Sequence, residues 1–321
     1  MSDSTLAFVF PGQGSQRPGM LAAAYDRFPC VQDTFDEASS VLGFDVWALV
    51  SEGDEKALSL TEITQPVLLA ASVALWRAWC SLSSVRPSWL AGHSLGEFSA
   101  LACGGAFAFA DAVDLVRRRG AAMQGAVPVG EGAMAAVIGL DDDVIEGICG
   151  DVRNAGEGVV EAVNYNAPGQ VVIAGHRGAV GAAAEGLQAA GARRVLPLPV
   201  SAPFHTSLMS PAGERLAAAL AAIDVRAPSI PVIHNVDAAP ASEPSRIREL
   251  LVRQLSSAVR WTDCVRAMAA RGVSRVVECG PGRVLAGLNR RIDRSLESAW
   301  LEDPDAMDDL RAALAVGEGT P

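Results

Sequence analysis

The sequence predicts an α/β fold in which a large domain with a short, mostly parallel sheet contains a small inserted domain. Short apolar runs such as residues 6–10 (LAFVF) alternate with helical patterns, as buried parallel strands do. The pattern changes at the glycine-containing stretch 128–132 (PVGEG). After it, the expected order is strand, helix, strand, strand, helix, strand, which is typical of a ferredoxin-like unit. We therefore expect a large domain at residues 1–128 and 200–321, with an inserted ferredoxin-like domain at 129–199.

Apolar runs and turn residues define the individual elements. The first strand ends at the turn Pro11-Gly12-Gln13-Gly14, and a helix-rich region continues to about residue 82. Asp111 is the candidate N-cap of a helix over residues 110–124. In the large domain, further strands are expected at 88–92, 230–236 and 274–279, and further helices after residues 94 and 282. In the inserted domain, strands are expected at 133–140, 159–166, 170–175 and 193–200, and helices at 142–149 and 177–190.

Composition and charge limit the class of protein. Half of the 321 residues are hydrophobic, and the net charge of −11 at pH 7 argues against a nucleic-acid-binding protein. No apolar run reaches the roughly 18 residues that a membrane span requires, and the first residues carry no export signal. The six cysteines form no CxxC pair, and no cluster of metal ligands is apparent. We expect a cytoplasmic globular enzyme that uses neither a metal nor a redox cofactor.

The stretch 91–97 (AGHSLGE) holds Ser94 between two glycines in the pattern G-x-S-x-G. With a strand before it and a helix after it, this pattern is typical of a nucleophile elbow, so the large domain is expected to be α/β-hydrolase-like. Bulky residues at 92 and 96 would collide with the adjacent backbone. The helix that begins at Leu95 would direct its free N–H groups and its dipole towards a developing oxyanion. The alternative interpretation is an ordinary glycine-rich loop, in which the pattern arises by chance.

A serine hydroxyl needs a base to become a nucleophile, and the chain has four histidines. His205, in the loop SAPFHTSLM where the chain returns to the large domain, is the candidate base; the alternative is a structural loop histidine. His93 is next to Ser94 in sequence, so its side chain diverges from the hydroxyl. His176 is expected at the surface and His234 in the core. No acid between the serine and the candidate base stands at a convincing strand end, so a backbone carbonyl or an amide side chain is expected to orient the imidazole.

The run Arg117-Arg118-Arg119 lies in the helix expected over residues 110–124. Apolar residues at 113, 116, 120 (a glycine) and 123 form a stripe on this helix. Helical geometry directs Arg118 to solvent, whereas Arg117 and Arg119 flank the stripe on either side, so periodicity does not choose between these two. The alternative is three solvated arginines.

Three stretches occur in an order that resembles the malonyl-CoA:acyl-carrier-protein transacylases: FVFPGQGSQ (8–16), AGHSLGE (91–97) and LPVSAPFH (198–205). Further similar stretches are NYNAPGQVVIAG (164–175), LVRQL (251–255) and ECGPGRVL (278–285). The resemblance covers the chain roughly from residue 6 to 300, and only the acidic C-terminal tail is undiagnostic.

This resemblance implies a role for each residue that matches the family's reaction centre. Ser94 matches the nucleophile that accepts the acyl group, and His205 matches the general base. The backbone carbonyl of Gln254 matches the group that orients this histidine. Gln13 and Leu95 match the residues whose backbone N–H groups form the oxyanion hole.

Two further positions match residues that select the acyl group. Arg119 matches the arginine that pairs with the free carboxylate of a malonyl group, and this match alone selects it over Arg117. Phe204 resembles the residue found in malonyl-preferring members, where a ring narrows the pocket around the α-carbon of the acyl group.

The resemblance also implies the reaction and the partners. The chain is expected to transfer malonyl from malonyl-CoA to the phosphopantetheine thiol of acyl carrier protein for fatty-acid synthesis, as a monomer. The alternatives are a stand-alone acyltransferase that serves a polyketide synthase, an acyl hydrolase of the same superfamily, and a carrier-binding subunit without chemistry. Candidates for carrier docking are Arg193, Arg194, Arg271 and Arg283.

Overall fold

A computed structural model describes residues 2–200 and 202–317 of the chain. The chain begins with β1 (Ser2–Phe10), α1 (Ala22–Arg27), α2 (Pro29–Leu42), α3 (Val46–Glu52), α4 (Glu55–Leu58), α5 (Thr61–Leu82), β2 (Arg86–Gly92), α6 (Leu95–Cys103) and α7 (Phe109–Gln124). It continues with β3 (Gly132–Ile138), α8 (Asp142–Asn154), β4 (Val160–Ala167), β5 (Gln170–His176), α9 (Arg177–Ala189) and β6 (Arg194–Pro197). The last elements are a 3-10 turn at Ser207–Met209, α10 (Ser210–Ala221), β7 (Val232–Ile233), α11 (Pro244–Leu255), α12 (Trp261–Ala269), β8 (Arg275–Glu278), α13 (Val284–Ile292), β9 (Glu297–Trp300) and α14 (Pro304–Gly317).

Five strands form a sheet in the order β7-β2-β1-β8-β9, and every neighbouring pair is parallel. The central strand β1 is fully buried from residue 6 to 10, because hydrophobic clusters cover both faces of the sheet. Phe8 and Phe10 face one cluster, and Ala7 and Val9 face the other. The near-continuous apolar run of β1 is therefore explained by burial on both sides.

Strands β3 to β6 form a separate antiparallel sheet in the order β4-β5-β3-β6. Helices α8 and α9 pack on it, and Ile145, Ile173 and Leu187 belong to its own hydrophobic cluster. This order and connectivity are those of a ferredoxin-like unit. The predicted α/β fold, with a parallel sheet and an inserted ferredoxin-like sheet, is confirmed, whereas the domain boundaries near residues 128 and 200 stay predictions.

The strand expected at residues 230–236 is much shorter in the structure, since β7 contains only Val232 and Ile233. The next residue, His234, turns back through a backbone hydrogen bond to Ala239. The N–H of Asn235 donates to the buried side chain of Glu97 instead of to a neighbouring strand. A buried carboxylate therefore ends the strand, and sequence periodicity does not reveal it.

The predicted N-cap at Asp111 is wrong. Helix α7 begins at Phe109, and Ala108, three residues before Asp111, occupies the cap position without a capping side chain. Asp111 lies in the first turn instead, where its negative charge interacts favourably with the positive end of the helix dipole.

The carboxyl ends of β1 and β2 meet at one edge of the large sheet, where Phe10 is in register with Gly92. The loop after β8 reaches the same edge, because a Cβ at Gly280 would lie 2.4 Å from the ring of Pro11. The small sheet lies beside this edge, and Asn166 at the end of β4 is hydrogen-bonded to His93. Parallel strand order thus brings the G-x-S-x-G turn and the PGQG turn together.

Within the described part of the chain, no helix combines the length and the apolar character that crossing a membrane requires.

Candidate active site

The turn between β2 and α6 is a nucleophile elbow with Ser94 at its tip. Ser94 has φ 53° and ψ −106°, a conformation that is strained for any residue except glycine. A Cβ at Gly92 would lie 1.9 Å from the carbonyl carbon of Gly96, and a Cβ at Gly96 would lie 2.0 Å from the carbonyl oxygen of Phe10. Both flanking positions therefore require glycine, for the steric reason that the sequence pattern predicted.

His205 lies beside the serine and is held by a backbone carbonyl. Its Nε2 is 2.7 Å from Ser94 Oγ, and its Nδ1 is 2.8 Å from the carbonyl oxygen of Gln254. Because a carbonyl only accepts, Nδ1 carries the proton, and Nε2 is left to accept from the serine hydroxyl. His205 also has a positive φ of 64°, so both members of this pair have strained backbones.

The imidazole of His205 is neutral at physiological pH. Burial, reinforced by the positive charge of Arg119, lowers the pKa of His205 to about 3, although the hydrogen bond to Gln254 opposes this shift. The side chain is therefore available as a proton acceptor without first losing a proton.

We expect this shift to be visible in the pH dependence of catalysis. With malonyl-CoA, the substrate that the sequence resemblance implies, kcat/KM should stay level as the pH is lowered from about 8 to about 5, measured by stopped-flow acylation. A fall with a midpoint at the ordinary histidine pKa of 6.5 would contradict the assigned environment of His205.

The free energy of unfolding should also depend on pH through His205. Because the pKa of His205 is lower in the folded than in the unfolded chain, the unfolded chain binds more protons. The stability that depends on neutral His205 is thus present above pH 6.5 and is lost as the pH falls towards 3. Between these pH values the free energy of unfolding of the wild type should fall more steeply than that of His205→Gln.

Arg119 is the arginine of its run that faces the serine. It is 1% exposed, and its Nη2 lies 3.1 Å from Ser94 Oγ. Burial lowers the pKa of its guanidinium to about 9, so the group is charged at neutral pH. Its neighbours Arg117 and Arg118 are exposed and form ion pairs with Asp114. Tertiary structure thus decides between the two arginines that periodicity left equivalent.

Two glutamines hold the guanidinium in place. Arg119 Nη1 donates to Gln65 Oε1 at 2.9 Å, and Nη2 donates to Gln254 Oε1 at 2.8 Å. The ring of Phe98 lies under the guanidinium, 5.0 Å from centroid to Cζ. The Nε atom has no hydrogen-bond partner among the described residues. A buried, charged guanidinium with an unused donor beside the Ser94 hydroxyl is suited to binding a carboxylate.

Two backbone N–H groups are free at the turns that meet here. The backbone N–H groups of Gln13 and Leu95 have no hydrogen-bond acceptor in residues 2–200 and 202–317. Leu95 follows Ser94 as the first residue of α6. The loop of Gln13 is pressed against the elbow, because a Cβ at Gly12 would lie 2.6 Å from the carbonyl oxygen of His93. Free N–H groups on two adjoining turns can stabilise an oxyanion.

The remaining predicted residues occupy supporting positions. Phe204 is 7% exposed and belongs to the main hydrophobic cluster beside the large sheet. His93 Nε2 is 2.8 Å from Asn166 Oδ1, which directs this imidazole away from the serine. His234 is fully buried as expected, and His176 is half-buried and accepts a hydrogen bond from the N–H of Val159.

Sequence reasoning missed several polar residues that surround the reacting groups. Glu97, Asn235 and the side chains of both glutamines are fully buried and hydrogen-bonded around the elbow. One signal was present in the sequence, because Glu97 is the only charged residue in the apolar helix LGEFSALAC. A lone carboxylate on a helix that packs under a nucleophile indicates a buried partner.

The four arginines considered for carrier docking are all exposed. Arg194 is the first residue of β6 on the small sheet, and Arg193 immediately precedes it. Arg271 lies 5.3 Å from the ring centroid of Trp89, and Arg283 lies 5.5 Å from that of Trp300. Their role in docking stays a prediction.

Comparison with known proteins agrees with this geometry. The acyl transferase domain family matches residues 7–313. The malonyl CoA-acyl carrier protein transacylase of Escherichia coli (strain K12) is 54% identical over 302 residues, which cover 94% of this chain and 97% of that protein. The crystal structure of the acyl-carrier-protein S-malonyltransferase from Burkholderia pseudomallei 1710b is 52% identical, with a TM-score of 0.94 over 96% of this chain and 99% of its own.

A third similar structure is a malonyl-transacylase in complex with a type II PKS acyl-carrier protein. It is 49% identical, with a TM-score of 0.94 over 96% of this chain and 99% of its own. These similarities extend over almost the whole chain and include the elbow, the PGQG turn and the histidine loop. The chain therefore belongs to the acyl transferase family, as a member of its malonyl CoA-acyl carrier protein transacylases.

Proposed function

We propose that the chain transfers the malonyl group of malonyl-CoA to the phosphopantetheine thiol of an acyl carrier protein through a malonyl ester of Ser94. One observation carries the proposal: Ser94 Oγ lies 2.7 Å from His205 Nε2 and 3.1 Å from Arg119 Nη2. The nucleophile therefore has a base on one side and a buried cation on the other. The names of the relatives, and the carrier-protein complex of one similar structure, support the same reaction.

In the first half-reaction, Ser94 attacks the thioester carbon of malonyl-CoA while His205 Nε2 accepts the hydroxyl proton. The carbonyl oxygen becomes an oxyanion, which the N–H groups of Gln13 and Leu95 stabilise. As this intermediate collapses, the C–S bond breaks, and the imidazolium returns its proton to the departing CoA thiolate. A malonyl-serine ester remains.

The second half-reaction reverses these proton transfers with a different thiol. The phosphopantetheine thiol of the carrier protein gives its proton to His205 and attacks the ester carbon. The same two N–H groups stabilise the second oxyanion, and Ser94 recovers its proton from the imidazolium. Each step balances without a metal or a redox cofactor, and we propose that the chain uses neither.

Selection of the acyl group follows from its free carboxylate. The planar guanidinium of Arg119 can donate two parallel hydrogen bonds to that carboxylate. An acetyl group has no carboxylate and leaves the buried cation without this partner. The acetyl substrate is therefore bound about 10²-fold more weakly than malonyl in the transition state. Phe204 is proposed to narrow the pocket so that branched acyl groups fit poorly.

The cellular setting proposed for this reaction is fatty-acid synthesis in the cytoplasm, with the chain acting as a monomer. Service to a polyketide synthase is the second candidate, because one similar structure contains a type II PKS acyl-carrier protein. The same residues would serve both pathways. Rates measured with carrier proteins of the two kinds would separate them.

The competing reaction is hydrolysis of the malonyl-serine ester by water. The purified chain, incubated with malonyl-CoA and a carrier protein bearing phosphopantetheine, is expected to yield malonyl-carrier protein faster than free malonate. Intact-mass analysis of the carrier and chromatography of malonate measure the two products in one reaction. Malonate as the main product would overturn the transferase proposal in favour of an acyl hydrolase.

A further inference from the structure

A buried carboxylate lies three residues after the nucleophile and takes no part in the proton transfers described above. Glu97, on α6, is fully buried, and three N–H groups surround it. Its Oε1 lies 2.7 Å from Nδ1 of His234. Its Oε2 accepts from the backbone N–H of Asn235 at 2.9 Å and from Nε2 of Gln254 at 2.8 Å. Because burying a carboxylate is costly, one that accepts this many hydrogen bonds is expected to hold a neighbouring group in place.

Gln254 connects this carboxylate to both groups that handle the substrate. Its side-chain Oε1 accepts from Arg119 Nη2, and its backbone oxygen accepts from His205 Nδ1. A carboxylate accepts hydrogen bonds only, so the amide NH₂ of Gln254 must face Glu97, and the amide oxygen must then face Arg119. Glu97 therefore fixes the orientation of the amide that holds the guanidinium.

Glu97 also supplies charge. Arg119 is buried, and burial alone disfavours its positive charge. The negative charge of Glu97 opposes that effect across the width of one amide group. When a substrate carboxylate binds to the guanidinium, the positive charge of Arg119 is already partly compensated by Glu97. The same carboxylate that stabilises the empty site must weaken the attraction for the second anion.

We propose that Glu97 is a positioning residue and counter-charge of the acyl site, which orients Gln254 and moderates how strongly Arg119 prefers a carboxylate-bearing acyl group. This inference rests on the proposed function, because it assigns the malonyl carboxylate to Arg119. The new element is that Glu97, which does not contact the substrate, makes the preference for malonyl over acetyl smaller than Arg119 alone would produce. The benefit is a guanidinium that remains buried, charged and correctly oriented when the site is empty.

Glu97→Gln tests the charge while keeping the hydrogen bonds. The new amide oxygen can accept from Asn235 and Gln254, and the new NH₂ can donate to Nδ1 of His234 once that imidazole moves its proton to Nε2. No donor points at Nε2 of His234, so a proton can be placed there, although the resulting N–H is buried without an acceptor and the variant loses some stability. The substitution thus removes a charge with little change of shape.

The measurement is the rate of Ser94 acylation at several concentrations of malonyl-CoA and of acetyl-CoA. In Glu97→Gln we expect the KM for malonyl-CoA to fall and the malonyl-to-acetyl ratio of kcat/KM to rise by about tenfold, since one unit of repulsion is removed at short range. A residue with a merely structural role would slow both substrates equally. An unchanged or lower ratio would therefore overturn the proposal.

Two controls separate the possible failures. Burial raises the pKa of Glu278 to about 7, so the assays are run at pH 8, where this carboxyl is charged. Glu278→Gln then removes another fully buried carboxylate, which accepts from the N–H of Ala286 rather than from Gln254, and it should leave the ratio unchanged. If wild-type protein is not acylated by malonyl-CoA, the proposed function fails, whatever Glu97 does.

Instability of the variant does not end the test. If Glu97→Gln is too unstable to assay, the coupling of the two charges is measured with Arg119→Met in a double-variant cycle. Because Glu97→Gln leaves the buried cation without its counter-charge, Arg119→Met should cost less stability in the Glu97→Gln background than in the wild type. Thermal unfolding of the wild type, the two single variants and the double variant measures both costs. An equal or greater cost in the Glu97→Gln background would show that the two charges are not coupled and would overturn the proposal.

Discussion

Ser94→Ala is expected to abolish covalent loading of the chain by malonyl-CoA and to lower the transfer rate on the order of 10⁶-fold. The hydroxyl lies between the imidazole of His205 and the buried guanidinium of Arg119, at 2.7 Å and 3.1 Å. Removing it leaves His205 without the proton that it accepts. Intact-mass analysis after incubation with malonyl-CoA measures the loading, and malonyl-carrier protein formation measures the transfer.

A matched control is available on α6, the helix that follows Ser94. Ser99 is fully buried, and its Oγ has no hydrogen-bond partner in residues 2–200 and 202–317. Ser99→Ala makes the same chemical change, loss of one hydroxyl, at a residue that does not contact the reacting atoms, so loading should be unchanged. Malonyl loading that persists in Ser94→Ala would place the nucleophile elsewhere and would remove the basis of the proposed mechanism.

Arg119→Ala should reverse the acyl preference. Loading by malonyl-CoA is expected to fall by about 10²-fold, because the carboxylate loses a charged, bidentate partner, while loading by acetyl-CoA is retained or increased. The variant should also lose about 3 kcal/mol of stability, since the amide oxygens of Gln65 and Gln254 lose a buried donor. Acylation with both thioesters and thermal unfolding measure the two effects separately.

Arg117→Ala is the control for this experiment. Arg117 lies in the same run but is exposed and paired with Asp114, and surface ion pairs contribute about 0–1 kcal/mol. Neither the acyl preference nor the stability should change appreciably. Equal loss of malonyl and acetyl loading in Arg119→Ala would mean that the arginine supports the site without recognising the carboxylate.

The sequence was most informative where short-range geometry decides the structure. The G-x-S-x-G elbow depends on contacts between Gly92, Gly96 and the neighbouring backbone at about 2 Å, so the residue types alone indicate the turn. The order of elements between residues 133 and 199 predicted the ferredoxin-like sheet, because connectivity limits strand pairing. The resemblance of several separate stretches also led to the family before any fold was known.

Long-range packing decided what the sequence left open. Only the position of α7 against the core places Arg119 inside and Arg117 outside, and helical periodicity cannot supply that position. Strand β7 ends early because a side chain from another segment takes the backbone N–H of Asn235. The network around Glu97 joins residues 137 to 157 positions apart, so no local pattern could have predicted it.

The sequence by itself determined the fold class, the strained serine turn and the family, because these depend on steric fit and on connections between neighbouring elements. The resemblance also named Arg119 and the backbone carbonyl of Gln254, which residue patterns alone had not selected. Only the tertiary structure shows what brings these two groups to the serine and the histidine, and which carboxylate balances the buried charge. Those partners meet through packing of helices far apart in the chain, where desolvation makes each unpaired polar group costly. The cost of burying polar groups therefore determines which of them are paired in the site.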